Sequence, residues 1–220
     1  MKIGVYGGTF NPIHYGHLRS AEEVFEMLSL DKVLFITSGK TPFDKPDLEK
    51  AEHRYEMVKK AVNGNRHFEA SDIEIKRRGR SYTVETIGSL GDKYRESELF
   101  FILGIDAFLD LPNWNQPDKL INLANIVIIS RPGYMYAGLS LSPYLKNVSE
   151  KILRELDKGI KSNFSSDISK TRKAFLCKVT GLNISASHIR HLIASGKNIK
   201  YLLPDSVKSY IISNKLFVRR

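Results

Sequence analysis

Strand-like apolar runs and stretches of helical periodicity alternate along almost the whole chain. This alternation is typical of βαβ units, whose right-handed crossovers build the doubly wound parallel sheet of an α/β fold. Strands are predicted at residues 2–6, 32–37, 68–71, 99–103, 125–130 and 174–179. Helices are predicted at residues 16–28, 48–62, 83–93, 148–156, 187–194 and 205–213, with a shorter one after Asp106. Ligands of such a sheet bind outside the carboxyl ends of its strands.

The length of 220 residues and the hydrophobic fraction of 42% suit one globular domain with a sizeable core. We therefore predict a single domain over residues 1–220. Residues 132–173 are rich in Ser, Lys, Asn and Tyr, and are predicted to form a variable, peripheral segment. Residues 174–220 are predicted to form a C-terminal part that is mostly helical.

Several classes of protein are disfavoured by simple counts. The chain has one cysteine, Cys177, which excludes an internal disulfide and a cysteine-cluster metal site. No apolar run approaches the roughly 20 residues that a membrane span needs. The chain opens on a strand-like run and lacks the pattern of a signal peptide. These features predict a cytoplasmic protein.

The net charge of +10 admits a nucleic acid, a membrane surface or small polyanionic substrates as partners. The densest basic cluster, in the sequence IEIKRRGRSY, is interpreted as a solvated loop, and its members are Lys76, Arg77, Arg78 and Arg80. No helix-turn-helix, RNA-recognition signature or zinc finger is present. We therefore expect no nucleic-acid or membrane partner, and the oligomeric state stays open.

The N-terminal stretch MKIGVYGGTFNPIHYGHL reads as a strand, a glycine-rich turn and the start of a helix. Gly7 and Gly8 allow unusual backbone conformations and the close approach of a ligand. His14 and His17 stand at the helix N-terminus, where free N–H groups and the helix dipole favour phosphate. A metal site would need further donors, and a purely structural pair of histidines is the other alternative. Phosphate recognition is the interpretation we favour.

Two motifs carry a resemblance to a known superfamily. GGTFNPIHYGH resembles the first signature of the HIGH-type nucleotidyltransferases, and ISASHIR at residues 184–190 is similar to their second signature. Ser185 and Ser187 are suited to capping a helix and offering hydroxyl groups to phosphate. Arg190 offers a planar fork that matches a polyphosphate. The resemblance implies a Rossmann-like nucleotidyltransferase fold with a C-terminal helical portion.

Further segments resemble one branch of that superfamily, the nicotinate-nucleotide adenylyltransferases. These segments are HRYEM, SYTVET, LGIDAFLDLPNW, SRPGY and LLPDSVKSYI. The resemblance implies transfer of the adenylyl group of ATP to nicotinate mononucleotide. The products would be nicotinate adenine dinucleotide and pyrophosphate, in NAD biosynthesis.

The same resemblance implies a role for each site residue. The catalytic residues would be His14, His17 and Arg190. The ATP-binding residues would be Gly7, Gly8, Thr9, Phe10, Gly104, Asp106, Arg131, Ser185 and Ser187. The residues binding nicotinate mononucleotide would be Tyr82, Thr83, Trp114 and Lys45. Mg²⁺ is expected to arrive on the ATP phosphates, without metal ligands from the protein.

One segment departs from the family pattern. The family carries a PPHK-like loop after the second strand, and this chain has KTPFDK, with Phe43 and Asp44 at the His-Lys positions. Either Lys40 or Lys45 replaces the missing cation, or the contact is absent. Lys45 is the preferred candidate.

Other functions stay open at this point. The acceptor could be nicotinamide mononucleotide or another phosphorylated acceptor of the superfamily, and the product could be cytidylylated. A class I aminoacyl-tRNA synthetase shares the first signature, but this chain is short for a tRNA-binding enzyme. A basic nucleic-acid-binding protein would explain the charge and leave both signatures without a role.

Overall fold

The computed structural model describes residues 1–40, 47–77 and 79–218. Within these ranges seven strands form one sheet: β1 (Lys2–Gly8), β2 (Lys32–Thr37), β3 (Phe68–Ser71), β4 (Glu98–Gly104), β5 (Asn125–Ile129), β6 (Asn163–Asp167) and β7 (Lys173–Cys177). The helices are α1 (Tyr15–Leu28), α2 (Ala51–Val62), α3 (Thr83–Lys93), α4 (Ile105–Leu109), α5 (Pro117–Leu123), α6 (Glu150–Asp157), α7 (Ala186–Ala194) and α8 (Asp205–Ser213). Short 3₁₀ turns lie at Leu111–Asn113 and Tyr136–Leu141.

The strand order is β3-β2-β1-β4-β5-β7-β6, and every neighbouring pair is parallel except β6 with β7. The chain runs outward from β1 to β3 and then returns to place β4 on the other side of β1. The strand order therefore reverses between β1 and β4. Such a reversal opens a crevice at the carboxyl ends of the two strands, where doubly wound folds bind ligands.

Helices cover both faces of the sheet, which explains the continuous apolar runs of the central strands. Successive side chains of β1 point to opposite faces, so Ile3 and Val5 join one core cluster and Tyr6 joins the other. The first cluster includes apolar residues of α3, α5 and α6. The second includes apolar residues of α1, α2, α7 and α8. The predicted α/β fold with a doubly wound sheet is confirmed.

Several predicted boundaries differ from the structure. Residues 7–8 were predicted as a turn, but β1 continues through Gly8. The second helix begins at Ala51 and not at residue 48, and the last parallel strand ends at Cys177 and not at residue 179. The helix α5 and the strand β6 were not predicted.

The segment 132–173 packs on the sheet through a buried tyrosine. The Tyr136 hydroxyl donates to the Cys177 carbonyl at 2.6 Å, and the Asp157 carboxylate accepts from the Tyr136 N–H at 2.7 Å. The segment contributes one 3₁₀ turn, α6 and β6. Its variability stays a prediction. Across the described ranges, no helix is long and apolar enough to span a bilayer.

Candidate active site

The loop between β1 and α1 brings the two predicted histidines together. Their ring centroids are 3.8 Å apart, and His14 immediately precedes the first residue of α1. The backbone N–H of His14 donates to Nδ1 of His17 at 3.3 Å. Because Nδ1 of His17 accepts this hydrogen bond, the neutral ring carries its proton on Nε2. His17 can therefore donate a hydrogen bond through Nε2.

Gly8 serves this loop in a way that the sequence did not indicate. A Cβ atom at Gly8 would lie 3.0 Å from the ring of Phe10, so the absence of a side chain at Gly8 makes room for that ring. Phe10 has a φ of 45°, is 3% exposed, and stands edge-on to His17 at 5.1 Å between centroids. The packed ring holds a strained backbone and supports the histidine.

Both histidines are neutral near pH 7. Burial, followed by the positive charge of Arg131, lowers the pKa of His14 to about 4. Burial, followed by the neighbouring His14 and Arg131, lowers the pKa of His17 well below its usual value. His14 is 6% exposed, and its Nδ1 has no hydrogen-bond partner among the described residues. The donor that the geometry identifies for an anion is therefore Nε2–H of His17.

The lowered pKa of His14 predicts acid-sensitive stability. The unfolded chain binds this proton near pH 6.5 and the folded chain only near pH 4, so the free energy of unfolding falls as the pH drops between these values. Between pH 7.5 and pH 5 the loss attributable to His14 is about 2 kcal/mol. We expect His14→Asn to reduce the pH dependence of denaturant unfolding by this order. Substitution of the exposed His191 is the control, and equal pH slopes for wild type and His14→Asn would contradict the prediction.

A second group of predicted residues meets at the carboxyl ends of β4 and β5. Arg131 donates to the Asp106 carboxylate, whose other oxygen, Oδ1, is buried without a partner among the described residues. A Cβ atom at Gly104 would lie 2.5 Å from this Oδ1, so any larger residue there would displace the Asp106 carboxylate. Because the charge of Arg131 also lowers the pKa of both histidines, this group borders the histidine loop.

The ISASHIR motif docks onto the histidine loop from the C-terminal part of the chain. Ser185 caps α7, and its Oγ accepts from the His188 N–H at 3.1 Å. Arg190 donates from Nη1 to the carbonyl of Asn11 at 2.9 Å. Ser187 is exposed in the first turn of the same helix. The two signatures, 179 residues apart at this contact, therefore form one continuous surface.

A cavity of about 390 Å³ opens beside the histidine loop, across the carboxyl ends of β1, β2 and β4. Apolar side chains of the sheet and of α3 form much of its lining, and the predicted Tyr82, Thr83 and Trp114 stand in its wall. The backbone of the predicted Gly7, Gly8 and Thr9 lines it as well. The structure thus brings together three of the four residues predicted for the mononucleotide with part of the phosphate loop.

The N-terminus of α3 offers backbone hydrogen-bond donors at this cavity, which Thr83 lines. Thr83 and Val84 are the first two residues of this helix, and N–H groups at such positions have no intrahelical partner. Glu74 also lines the cavity, is 9% exposed, and accepts from the Thr86 hydroxyl at 2.7 Å. Arg77 donates to the same hydroxyl oxygen at 3.0 Å. Donors for an anion therefore share the pocket with carboxylates, because Asp110 lines it as well as Glu74.

Arg54 organises the loops around the cavity, and the sequence interpretation missed it. Its guanidinium donates to the carbonyls of Thr9 at 2.8 Å, Gly39 at 3.2 Å and Glu49 at 2.9 Å, and to the Ser38 hydroxyl at 3.3 Å. The residue is 1% exposed, and among the described residues no carboxylate forms an ion pair with it. Arg54 therefore joins the loops after β1 and β2 to α2.

A sequence signal for Arg54 exists. Met57, Val58 and Val62 are the apolar residues that α2 buries, and Arg54 precedes them at spacings of three, four and eight. Positions with this spacing share one face of a helix. An arginine on the apolar face must satisfy its donors inside the protein, which marks it as an organising residue.

The departure at KTPFDK is not decided by the structure. Lys45, with Phe43 and Asp44, lies outside the described residues. Lys40 is exposed, and its carbonyl accepts from the Ser81 N–H at 2.9 Å. Within the described part of the chain, no group of three or more His, Cys, Asp or Glu residues could hold a metal ion.

The model of the cytidylyltransferase-like family matches residues 5–192, from β1 into α7. The chain therefore belongs to this family and, within it, to the nicotinate-nucleotide adenylyltransferases, as full-length relatives indicate. A protein of Desulfatibacillum aliphaticivorans is 39% identical over 99% of this chain and 100% of its own length. A protein of Dictyoglomus thermophilum is 39% identical with the same coverage. Both carry the name probable nicotinate-nucleotide adenylyltransferase.

Solved structures share the fold. The nicotinic acid mononucleotide adenylyltransferase of Plasmodium falciparum, complexed with NaAD, superposes with a TM-score of 0.72 at 20% identity. The alignment covers 98% of this chain and 97% of that one. The same enzyme complexed with APC gives a TM-score of 0.70 at 19% identity.

Proposed function

We propose that this chain transfers the adenylyl group of ATP to nicotinate mononucleotide, releasing pyrophosphate and forming nicotinate adenine dinucleotide for NAD synthesis. The observation that carries the proposal is the contact of Arg190 with the Asn11 carbonyl. This contact joins the ISASHIR helix to the loop that carries both histidines, and residues 7–9 of the same segment line the cavity. The names of the full-length relatives support the same activity.

The chemistry is an in-line displacement at the α-phosphorus of ATP. A phosphate oxygen of the mononucleotide forms the new P–O bond, and the bond to the bridging oxygen breaks as pyrophosphate leaves with its electron pair. The attacking phosphate is already an anion, so no covalent enzyme intermediate is needed. Nε2 of His17 and the ring of His14 would donate to the oxygens on which charge accumulates. Mg²⁺ would enter as part of the ATP substrate.

The residues divide into two half-sites in this proposal. The ATP half would consist of the 7–10 loop backbone, Gly104, Asp106, Arg131, Ser185 and Ser187, with Arg190 on the outer phosphates. The mononucleotide half would consist of the cavity with Tyr82, Thr83 and Trp114. No nucleic acid or membrane is needed as a partner.

Arg190→Lys is expected to weaken the binding of ATP. One nitrogen of the guanidinium already donates to Asn11, and among the described residues the fork has no other partner. A lysine ammonium lacks the planar fork that would reach Asn11 and grip a phosphate in two places, so we expect KM for ATP to rise about tenfold or more. Affinity for the mononucleotide should stay nearly unchanged. Initial rates with each substrate varied in turn provide the measurement, and equal weakening of both substrates would contradict this role.

The proposed function is tested by product analysis. Purified protein is incubated with ATP and nicotinate mononucleotide, and pyrophosphate and dinucleotide should appear in a ratio of one to one. CTP in place of ATP, and phosphopantetheine in place of the mononucleotide, test the other activities of the superfamily. Pyrophosphate release that does not depend on any mononucleotide would overturn the proposal.

Glu74 favours a second candidate acceptor, nicotinamide mononucleotide. Its carboxylate lines the cavity and could accept from an amide NH₂, whereas it would repel a carboxylate. The N–H groups of α3 act in the opposite sense, since they favour an anion. Asp110 also lines the cavity, so charge alone does not choose between the two acceptors, and the names of the full-length relatives make nicotinate the first choice.

A further inference from the structure

Trp114 is held in the cavity wall from three directions. Its backbone N–H donates to the Leu111 carbonyl at 3.0 Å, which closes the 3₁₀ turn. Its ring stands edge-on to Phe101, with 6.2 Å between centroids. Its indole N–H donates to Oδ2 of Asp110 at 3.2 Å. The first contact fixes the backbone, and the other two fix the plane of the ring.

Asp110 uses both carboxylate oxygens in this turn. While Oδ2 accepts from the indole, Oδ1 accepts from the Asn113 side chain at 2.8 Å. Asp110 directly follows α4, and its own N–H donates to the Asp106 carbonyl at 3.3 Å. The carboxylate is thus held at the end of a helix that continues the central strand β4. Asp110, Asn113 and Trp114 all line the cavity.

A rotation of the indole would change the shape of this wall. The other apolar lining comes from β1, β2, β4 and α3, which are rigid elements, whereas Trp114 stands on a short turn. A flat aromatic ligand gains most from a ring whose plane is already set, because ordering a free side chain costs affinity. The contact with Asp110 supplies this ordering before the ligand arrives.

We propose that Asp110 is a positioning residue that fixes the indole plane of Trp114, and thereby sets the affinity of the site for the mononucleotide. This inference rests on the proposed function for the identity of the ligand. The pairing of Asp110 with Trp114 itself rests only on the described contacts. The two parts are therefore separable by experiment.

The experiment uses the fluorescence of Trp114, which is the only tryptophan of the chain. The full-length protein, Asp110→Ala and Asp110→Asn are compared by steady-state anisotropy, by acrylamide quenching and by titration with nicotinate mononucleotide. In Asp110→Ala we expect lower anisotropy, stronger quenching and a Kd that rises about 3- to 10-fold, the value of one hydrogen bond. Asp110→Asn keeps an acceptor oxygen for the indole, so its Kd should stay within about twofold of wild type.

The asparagine variant separates the hydrogen bond from the charge. If the negative charge of Asp110 mattered instead, both variants would change alike, and both would bind the anionic ligand more tightly. Asp92→Ala removes the same charge near the far end of α3 and should match wild type in every measurement. Unchanged anisotropy and Kd in Asp110→Ala, or equal changes in both Asp110 variants, would overturn the proposal.

Failure of the proposed function gives a different result. If nicotinate mononucleotide does not alter the emission of the wild-type protein at any concentration, the assumed ligand is wrong, and so is the role of Asp110 in its affinity. The anisotropy and quenching of the free proteins still decide whether Asp110 fixes the ring.

Discussion

His17→Ala is expected to lower kcat by about 10²–10³, the usual loss for one donor to a developing charge. The structure gives the physical reason. Nδ1 of His17 accepts from the His14 N–H, which leaves Nε2–H to donate, and the ring is held at the helix N-terminus by His14 and Phe10. KM values should change little, because the lost donor acts on charge that develops in the transition state. Initial rates of pyrophosphate release measure the effect.

His67 provides a matched control for this substitution. It lies directly before β3, at the amino ends of the parallel strands and away from the cavity at their carboxyl ends, and its ring packs on Phe25 at 4.5 Å between centroids. His67→Ala should keep wild-type kcat. A glutamine at position 17 restores an N–H donor at a similar reach and should recover part of the loss. Activity of His17→Ala within a few-fold of wild type would remove His17 from the catalytic group.

The site is expected to prefer the nicotinate acid over its amide, with kcat/KM higher by about 10²–10⁴. The two N–H groups that open α3 suit a carboxylate. The amide would direct an NH₂ donor at one of them and leave both donors without a partner, which costs about 1–3 kcal/mol for each group. The field of a chain with net charge +10 adds attraction for the more anionic substrate, and salt screens part of it.

Thr83 allows a direct test of this preference. It is the first residue of α3, where proline is tolerated, and the preceding Tyr82 has φ −110° and ψ 134°, a conformation that suits a residue before proline. Thr83→Pro therefore deletes one N–H with little strain, whereas Thr83→Ala keeps it and removes only the hydroxyl. We expect the acid-to-amide ratio to fall in Thr83→Pro relative to Thr83→Ala. Equal ratios in the two variants would show that the N–H does not discriminate.

Most strands and helices could be predicted from the hydrophobic pattern. Strands buried on both faces are continuous apolar runs, and helices that pack on the sheet have apolar residues at helical spacing. Residues 32–37 and 68–71 are strands and residues 83–93 and 205–213 are helices within the predicted bounds. The strand β6 has the polar sequence NFSSD, and its pairing comes from β7 and not from its own propensity. The helix α5 has only seven residues, too few to establish a period.

The signature residues of the site were predictable for a related reason. His14, His17 and Arg190 stand at helix starts or on helix faces that local sequence defines, and the topology then brings those helix ends together. The role of Arg54 depends instead on contacts between distant segments, such as that of its guanidinium with the Thr9 carbonyl. A backbone carbonyl has no residue-specific signal in the sequence. The buried face of α2 marks Arg54 in the sequence, but the partners of its guanidinium are identified only when the fold is known.

The strand β6, which was not predicted, affects how readily the edge of the sheet can pair with other chains. Without β6, the apolar β7 would form the border of the sheet and offer a row of unpaired N–H and C=O groups to any other chain. Instead the border is a five-residue antiparallel strand whose exposed positions are Asn163, Ser165 and Asp167. The opposite border, β3, has only four residues. By supplying β6, the segment 132–173 thus covers the edge of β7. Its removal would expose that edge to pairing with other chains and would favour aggregation.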